Sequence, residues 1–304
     1  MSTKSNALSS AIGAALKAAG ANLTRRARVS TATAFVSFLF ESNYQVRSVA
    51  SLGVRHVSLF IRACRENGDS LRTLQNKASH IRCLLRAEGR SGLADDPLLT
   101  NKALRIAGAS RRGTNRAVSP EADRRILEDA QQLPDYALAA VRLQRTLGLR
   151  AQEAVRSGPS LARWVEELLG CRSIYVVAGT KGGRRRYVQP FDREQALAAV
   201  RFAVDVLRRG NREDLFPHRS LKQAITYYRN VWNRRLKPAS ESGCTSHSYR
   251  YAFAQDRIAQ CLKAGMSKRD ALASVALDLG HGDGRGRYVA HVYAPATALL
   301  GVPT

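Results

Sequence analysis

No C-x-x-C pair occurs in the 304 residues, and the five cysteines stand singly at 64, 83, 171, 244 and 261. An odd, scattered set suits reduced thiols and argues against a disulfide scaffold or a zinc ribbon. Cys64, His80 and Cys83 come nearest to a ligand set, but Cys64 and Cys83 fall on apolar helix faces, where a small core residue is the simpler reading. No metal is expected. The apolar runs fall far short of a membrane-spanning helix and no basic-then-apolar leader opens the chain, so membrane contact is not expected and an intracellular, cytoplasmic location is. A Walker A loop and a cluster of metal-binding carboxylates are also missing, and no cofactor is expected.

Acid is scarce: 24 Asp and Glu stand against 49 Lys and Arg, for a net charge of +25 and a pI near 10.8. Lysine is scarce within the basic set, with nine lysines to forty arginines. Arginine's planar fork grips a phosphate at two points, where lysine acts as a point charge. A charge this large repels itself unless a polyanion is near, so nucleic acid is the leading partner. With 44% hydrophobic residues the chain can still build cores, which excludes a disordered polycation.

Strand-forming sequence is rare. The fold class expected is mainly α with one small β-hairpin, in two domains. Residues 1–23 are rich in Ala and Ser and read as an N-terminal tail with room for a short helix over Ser10 to Ala19. Helical spacing of apolar residues begins at Thr31 and recurs in Thr31 to Glu41, Leu52 to Arg65 and Thr73 to Ala87, with Leu98 to Ile106 as a fourth short helix. Residues 24–107 are therefore a small, helical, basic domain. Residues 108–118 form a polar linker whose Arg111, Arg112 and Arg116 suit a phosphate backbone, so that the two domains are expected to close around duplex DNA. Ser119-Pro-Glu121 then opens a second domain, 119–304, as N-cap, first-position proline and first-turn acid. Within it helices are expected near 120–131, 136–147, 194–209, 220–235, 247–263 and 267–279. The β signal is the pair of runs Ser173 to Ala178 and Tyr187 to Pro190 around a Gly-Gly turn.

Four short stretches in the second domain carry chemistry. Leu147-Gly-Leu-Arg-Ala-Gln-Glu153 places Arg150 past a helix break and Glu153 one turn on. Thr180-Lys-Gly-Gly-Arg-Arg-Arg186 is the hairpin tip. His247-Ser-Tyr-Arg250 puts His247 and Arg250 on one helical face, and Leu279-Gly-His-Gly-Asp283 precedes Tyr288 and Tyr293. Each has an ordinary alternative when taken singly. Arg150 is then a surface arginine, Lys181 with Arg184, Arg185 and Arg186 a phosphate-binding hairpin, His247 a helix-start histidine, and Glu153 a salt-bridge orienter. His218 and His291 read as structural or solvent-facing, and His56 and His80, in the first domain, as DNA-facing or solvated.

Taken in order, these stretches resemble the tyrosine recombinases, or phage-type integrases, with their G-L-R-x-x-E box, hairpin lysine, H-x-x-R, L-G-H and following tyrosine. The resemblance covers about 120–295, and the helical N-terminal half is similar to the family's core-binding domain. The Gly282-Asp-Gly-Arg-Gly-Arg-Tyr288 stretch resembles that of proteobacterial prophage and genomic-island integrases. Two intervals are longer than usual: Arg250 to His281, where Lys263 to Lys268 reads as an inserted turn, and His281 to the tyrosine.

The resemblance implies a site-specific recombinase that cuts and rejoins DNA through a 3′-phosphotyrosine intermediate to integrate or excise a mobile element. It implies Arg150 and Arg250 as the phosphate clamp, Lys181 as general acid, and His247 and His281 as phosphate-orienting and proton-handling groups. Tyr293 is the expected nucleophile, with Tyr288 as the alternative. Double-stranded attachment-site DNA, a homo-tetramer on paired sites and DNA-bending accessory proteins are the implied partners. A type IB topoisomerase or telomere-resolving enzyme shares this chemistry, and a non-catalytic DNA-binding protein shares the scaffold. The uncharged end of the chain, with Leu299, Leu300 and Val302, is expected to dock on a neighbouring protomer.

Overall fold

The computed structural model describes residues 3–110, 116–218 and 220–294. The chain divides into two compact units, Met1–Ser110 and Arg111–Thr304.

The first unit is helical. Its elements are α1 (Thr3–Lys17), α2 (Asn22–Glu41), α3 (Val54–Glu66), α4 (Leu71–Ala87) and the single turn α5 (Ser91–Ala94). Phe35 and Phe60 meet at 5.0 Å between ring centroids, in a core completed by Leu39, Ile61, Leu74, Ile81 and Leu84. Cys64 is buried in this core and Cys83 half-buried, while His80 exchanges a 2.8 Å hydrogen bond with Thr31 Oγ1.

Two expectations are corrected here. Residues 1–23 are not a tail outside the domain: α1 packs against α2 and α4 through Ala7, Ala11, Ala14 and Ala15. Alanine on one helical face allows backbones to approach closely, so a search for bulky apolar residues overlooks such a helix. Leu98 to Ile106 is not a helix either. A 3-10 turn over Pro97–Leu99 is followed by turns in which Arg105 adopts φ 54°. Asp96 accepts from the Leu98 amide, and Arg65 and Gln75 donate to carbonyls of 104–106, which pins this irregular backbone to the helices.

The second unit contains α6 (Pro120–Asp129), α7 (Asp135–Leu147), α8 (Ala151–Val155), α9 (Leu161–Leu169), strands β1 (Ile174–Val176) and β2 (Arg186–Val188), α10 (Arg193–Gly210), α11 (Leu221–Asn230), α12 (Lys237–Glu241), α13 (Ser246–Lys263), α14 (Lys268–Asp278) and α15 (Gly286–Val292). Ser119 caps α6 by accepting from the Ala122 amide, with Pro120 at the first turn. The hairpin is antiparallel, pairing Ile174 with Val188, Tyr175 with Tyr187 and Val176 with Arg186. Trp164 of α9, 1% exposed, donates its indole N–H to the Tyr175 carbonyl and joins the hairpin to the helical core. Helices α8, α9, α12 and α15 go beyond the elements expected from periodicity. In α9 the buried positions Leu161, Trp164 and Leu168 do carry a helical period, over only nine residues. The stretch between Lys263 and Lys268 is the turn joining α13 to α14, capped by Ser267.

Candidate active site

The first box forms where α7 stops. Gly148 caps that helix in the left-handed region at φ 59°, and a Cβ there would lie 2.3 Å from the Phe253 ring. Only glycine meets both demands. Arg150 is the N-cap of α8. Its backbone N–H donates to Glu153 Oε2 at 2.7 Å and its Nη1 to Glu153 Oε1 at 2.7 Å, while 22% of the side chain stays exposed.

The fourth box forms where α14 stops. Gly280, at φ 65°, ends the helix. Its N–H bonds the Leu277 carbonyl and that of His281 bonds the Ala276 carbonyl, the paired pattern of a helix closed by a left-handed glycine. This turn leaves the Leu279 carbonyl free at the negative end of a helix. Both candidate clamp arginines use it: Arg150 Nη2 donates to it at 3.3 Å, and Arg250 Nη2 donates to it as well. The remaining amine of Arg250 donates to the Gly148 carbonyl at 2.6 Å. Two glycine-ended helices thus present the carbonyls that hold the arginine pair, which explains why G-L-R and L-G-H occur as units.

Arg250 is fully buried, and desolvation together with Arg150 and Arg186 lowers its pKa to about 10, which leaves it cationic at neutral pH. Glu153 is 1% exposed. Burial alone would raise its pKa, but hydrogen bonds and charge from Arg186, with Arg250 and Arg150, bring it down to about 2. It is an anion at any working pH.

Tyr293 follows α15 and is 3% exposed. Its hydroxyl lies 3.2 Å from His281 Nε2, its ring lies 4.4 Å from that of Tyr251, and its carbonyl accepts from Gln255 Nε2 at 2.9 Å. Tyr288 meets the same imidazole edge-on at 4.8 Å between centroids. His247 packs against Tyr251 at 5.5 Å. The structure therefore gathers Arg150, His247, Arg250, His281 and Tyr293 at one place, and Lys181, exposed at the hairpin tip, is close enough to act electrostatically on His281.

Arg184, Arg185 and Arg116 are exposed, as a phosphate contact requires. Arg111 and Arg112 lie outside the described residues, as does the expected docking segment at Leu299, Leu300 and Val302. Arg186, grouped with the phosphate-facing arginines on sequence, is turned inward instead, with 4% of its side chain exposed. The signal was the period of two in β2: Val188 is buried, so Arg186 is on the same face and Tyr187 on the other. Sequence reasoning also missed Tyr251 and Asp278. Asp278 accepts from the Gln189 amide at 3.0 Å and pairs with Arg257. A lone buried carboxylate at a helix end carries no pattern to detect.

Burial first, then Arg250 and Arg150, hold His247 at about 4, and the same causes with Arg186 and Lys181 hold His281 at about 4, against an ordinary 6.5. Both imidazoles are neutral at pH 7, so each has one unprotonated ring nitrogen that can accept a proton. The unfolded chain takes up protons between pH 6.5 and about 4 that the folded chain refuses, so stability falls as pH drops through that window. His56 and His80, also lowered, add to the same slope. Glu153 acts only below it: its contribution is complete above 4.5 and is lost as pH falls toward 2. The melting temperature is expected to decline from pH 6.5 to 4.5, and the double variant His247→Asn/His281→Asn should flatten that decline. An unchanged slope in the double variant would assign the acid sensitivity elsewhere.

Comparison with known families bears on what this site belongs to. The chain matches the family model described as "Phage integrase, N-terminal" over residues 5–94, and the model described as "Integrase" over residues 105–256, half of its length. The chain belongs to the tyrosine recombinase family. It is thus a site-specific recombinase, an enzyme of the tyrosine type. The N-terminal match begins at residue 5, inside α1, in keeping with the packing of that helix into the first unit. No curated protein matches the chain. Among solved structures, this tyrosine recombinase is similar to the Tn1549 transposon integrase in complex with transposon right-end DNA, at 14% identity, 88% of each chain and a TM-score of 0.54. It is also similar to a lambda integrase tetramer bound to a Holliday junction, at 15% identity, 89% of this chain, 72% of that one and a TM-score of 0.56. At such identities the likeness is one of fold.

Proposed function

We propose that this recombinase integrates or excises a mobile DNA element by transferring one strand at a time through a phosphotyrosine at Tyr293. The observation that carries the reading is the Tyr293 hydroxyl on His281 Nε2 beside the Arg150–Arg250 pair. Tyr293 Oη attacks the scissile phosphorus and gives its proton to His281 Nε2. The bond from phosphorus to the 5′ oxygen breaks, and Lys181 Nζ protonates that oxygen as it leaves. Arg150, at the exposed edge, contacts the non-bridging oxygens. Arg250 supports it from below in a water-excluded site, where a fixed charge acts strongly on developing negative charge. Religation by a partner strand's 5′ hydroxyl reverses these steps, so the phosphodiester is conserved without a nucleotide cofactor.

In this reading the helical first unit binds the core of an attachment site on duplex DNA. Four copies act on two paired sites, with DNA-bending proteins assisting, in the bacterial cytoplasm. The test is incubation with nicked duplex from the DNA flanking the gene: a covalent adduct that survives denaturant is expected, followed by strand exchange. DNA binding without adduct would leave only a DNA-binding protein, and adduct with relaxation but no exchange would leave a topoisomerase.

Lys181→Ala is expected to slow cleavage by about 10²–10⁴-fold, the usual contribution of a positioned proton donor. A substrate with sulfur at the bridging 5′ position departs without a proton and should recover most of that loss. If sulfur does not rescue the variant, the general acid is another group, His281 being the first to examine.

A further inference from the structure

Arg186 belongs to the strand that follows the hairpin tip, yet each of its three guanidinium nitrogens donates to a group inside the protein. Nη1 donates to Glu153 Oε1 at 2.6 Å, Nη2 to Glu153 Oε2 at 2.7 Å, and Nε to the Asp278 carbonyl at 2.8 Å. Its stem lies under the helix-ending turn, where a Cβ on Gly280 would come within 2.8 Å of its Cδ. Just past the end of the same strand, Gln189 N–H donates to the Asp278 carboxylate. Arg186 therefore touches the Arg150 box through Glu153 and the His281 box through Asp278 and Gly280, and it leads the strand that descends from Lys181.

Glu153 makes this more than a mechanical tie. It is a buried anion whose oxygens also hold the backbone N–H and Nη1 of Arg150. A buried carboxylate left with a single arginine draws that arginine into a two-pronged pair and cancels its charge. Arg186 occupies the two-pronged position first. Arg150 then keeps one amine on Glu153 and one on the Leu279 carbonyl, with its edge open.

We infer that Arg186 is a positioning residue of the recombinase, which saturates Glu153 so that Arg150 stays aimed at the scissile phosphate and not collapsed onto the carboxylate. The inference rests on the proposed role of Arg150 in holding that phosphate. It assigns Arg186 a part in catalysis with no contact to DNA.

The full chain is tested by single-turnover cleavage of the nicked site and, separately, by affinity for a single site. Arg186→Gln should cut cleavage by roughly 100-fold, the scale of a misplaced catalytic group, while the Kd moves less than about threefold, because no phosphate contact is lost. Adding Glu153→Gln removes the carboxylate that captures Arg150, so the double variant should cleave about tenfold faster than Arg186→Gln alone. A purely structural tie would show no such recovery, since the double variant has lost both of its ends. If Arg186→Gln gives no cooperative melt, Arg186→Lys against Glu153→Gln/Arg186→Lys supplies the same comparison with the charge kept. Cleavage within threefold of the parent, a Kd weakened as much as cleavage, or a double variant no faster than the single each overturns the inference. A parent protein that forms no adduct refutes the proposed function itself, which separates the two failures.

Discussion

Tyr293→Phe is expected to remove all covalent protein–DNA adduct while the protein folds, binds its site and pairs two sites as the parent does. Phenylalanine keeps the ring that packs at 4.4 Å on Tyr251 and at 5.5 Å on His281, and the Gln255 hydrogen bond is to the backbone carbonyl, so the segment stays in place. Only the hydroxyl is lost, and with it the bond-forming atom. With that atom gone the attack itself is lost, so the effect is expected to be complete and not graded. Tyr288→Phe should retain the adduct, because the hydroxyl at 3.2 Å from His281 Nε2 is that of Tyr293. Denaturing electrophoresis of the protein with end-labelled nicked DNA reads both variants at once. Adduct from Tyr293→Phe and none from Tyr288→Phe would move the nucleophile to Tyr288.

The second large effect is expected at the arginine pair, and the two members should differ. Arg150→Ala is expected to lower cleavage by about 10³-fold or more, as removal of a preorganised charge from a transition state does, while site binding stays within about an order of magnitude. Its fold should survive. Glu153 keeps two hydrogen bonds from Arg186, and the Leu279 carbonyl keeps Arg250. Arg250→Ala should lose cleavage to a similar degree and stability as well. That side chain is fully buried, and its removal strips the Gly148 carbonyl of its guanidinium partner and leaves a void. An unsatisfied buried acceptor costs about 1–3 kcal/mol, enough to lower the melting temperature by several degrees. Paired melting and single-turnover measurements separate the two behaviours. Equal melting temperatures for both variants would contradict the buried placement of Arg250, and cleavage within tenfold of the parent for either would remove it from the clamp.

Much of this was legible in the sequence. The Gly148 and Gly280 positions end helices because only glycine enters the left-handed region without cost, and their neighbours Arg150 and His281 are fixed relative to those turns by a few residues. Local rules of this kind act over one or two turns of chain and can be read in order, which is why four short boxes marked a candidate site and named its family. Net charge is likewise a sum over residues and needs no fold: forty arginines and nine lysines point to phosphate by composition alone. Helical periods located α3, α4, α7, α10 and α13 because each buries one apolar stripe.

What only the tertiary structure decided is which of those charges face water and which face one another. Arg184, Arg185 and Arg186 are one run in sequence, but the strand's pleat puts Arg186 inside with Glu153 and Asp278, residues 33 and 92 positions away, and leaves the other two outside. The single carbonyl of Leu279 that serves Arg150 and Arg250 joins chain segments separated by 129 and 29 positions. The neutral state of His247 and His281 arises from burial beside arginines, and the packing of α1 arises from alanines that matter only against a partner helix. Desolvation and Coulomb energy depend on distance in space, and close packing depends on the facing surface. Composition and local order therefore determined the residue types and the chemistry they can perform, while the long-range fold determined the protonation, orientation and partner of each one.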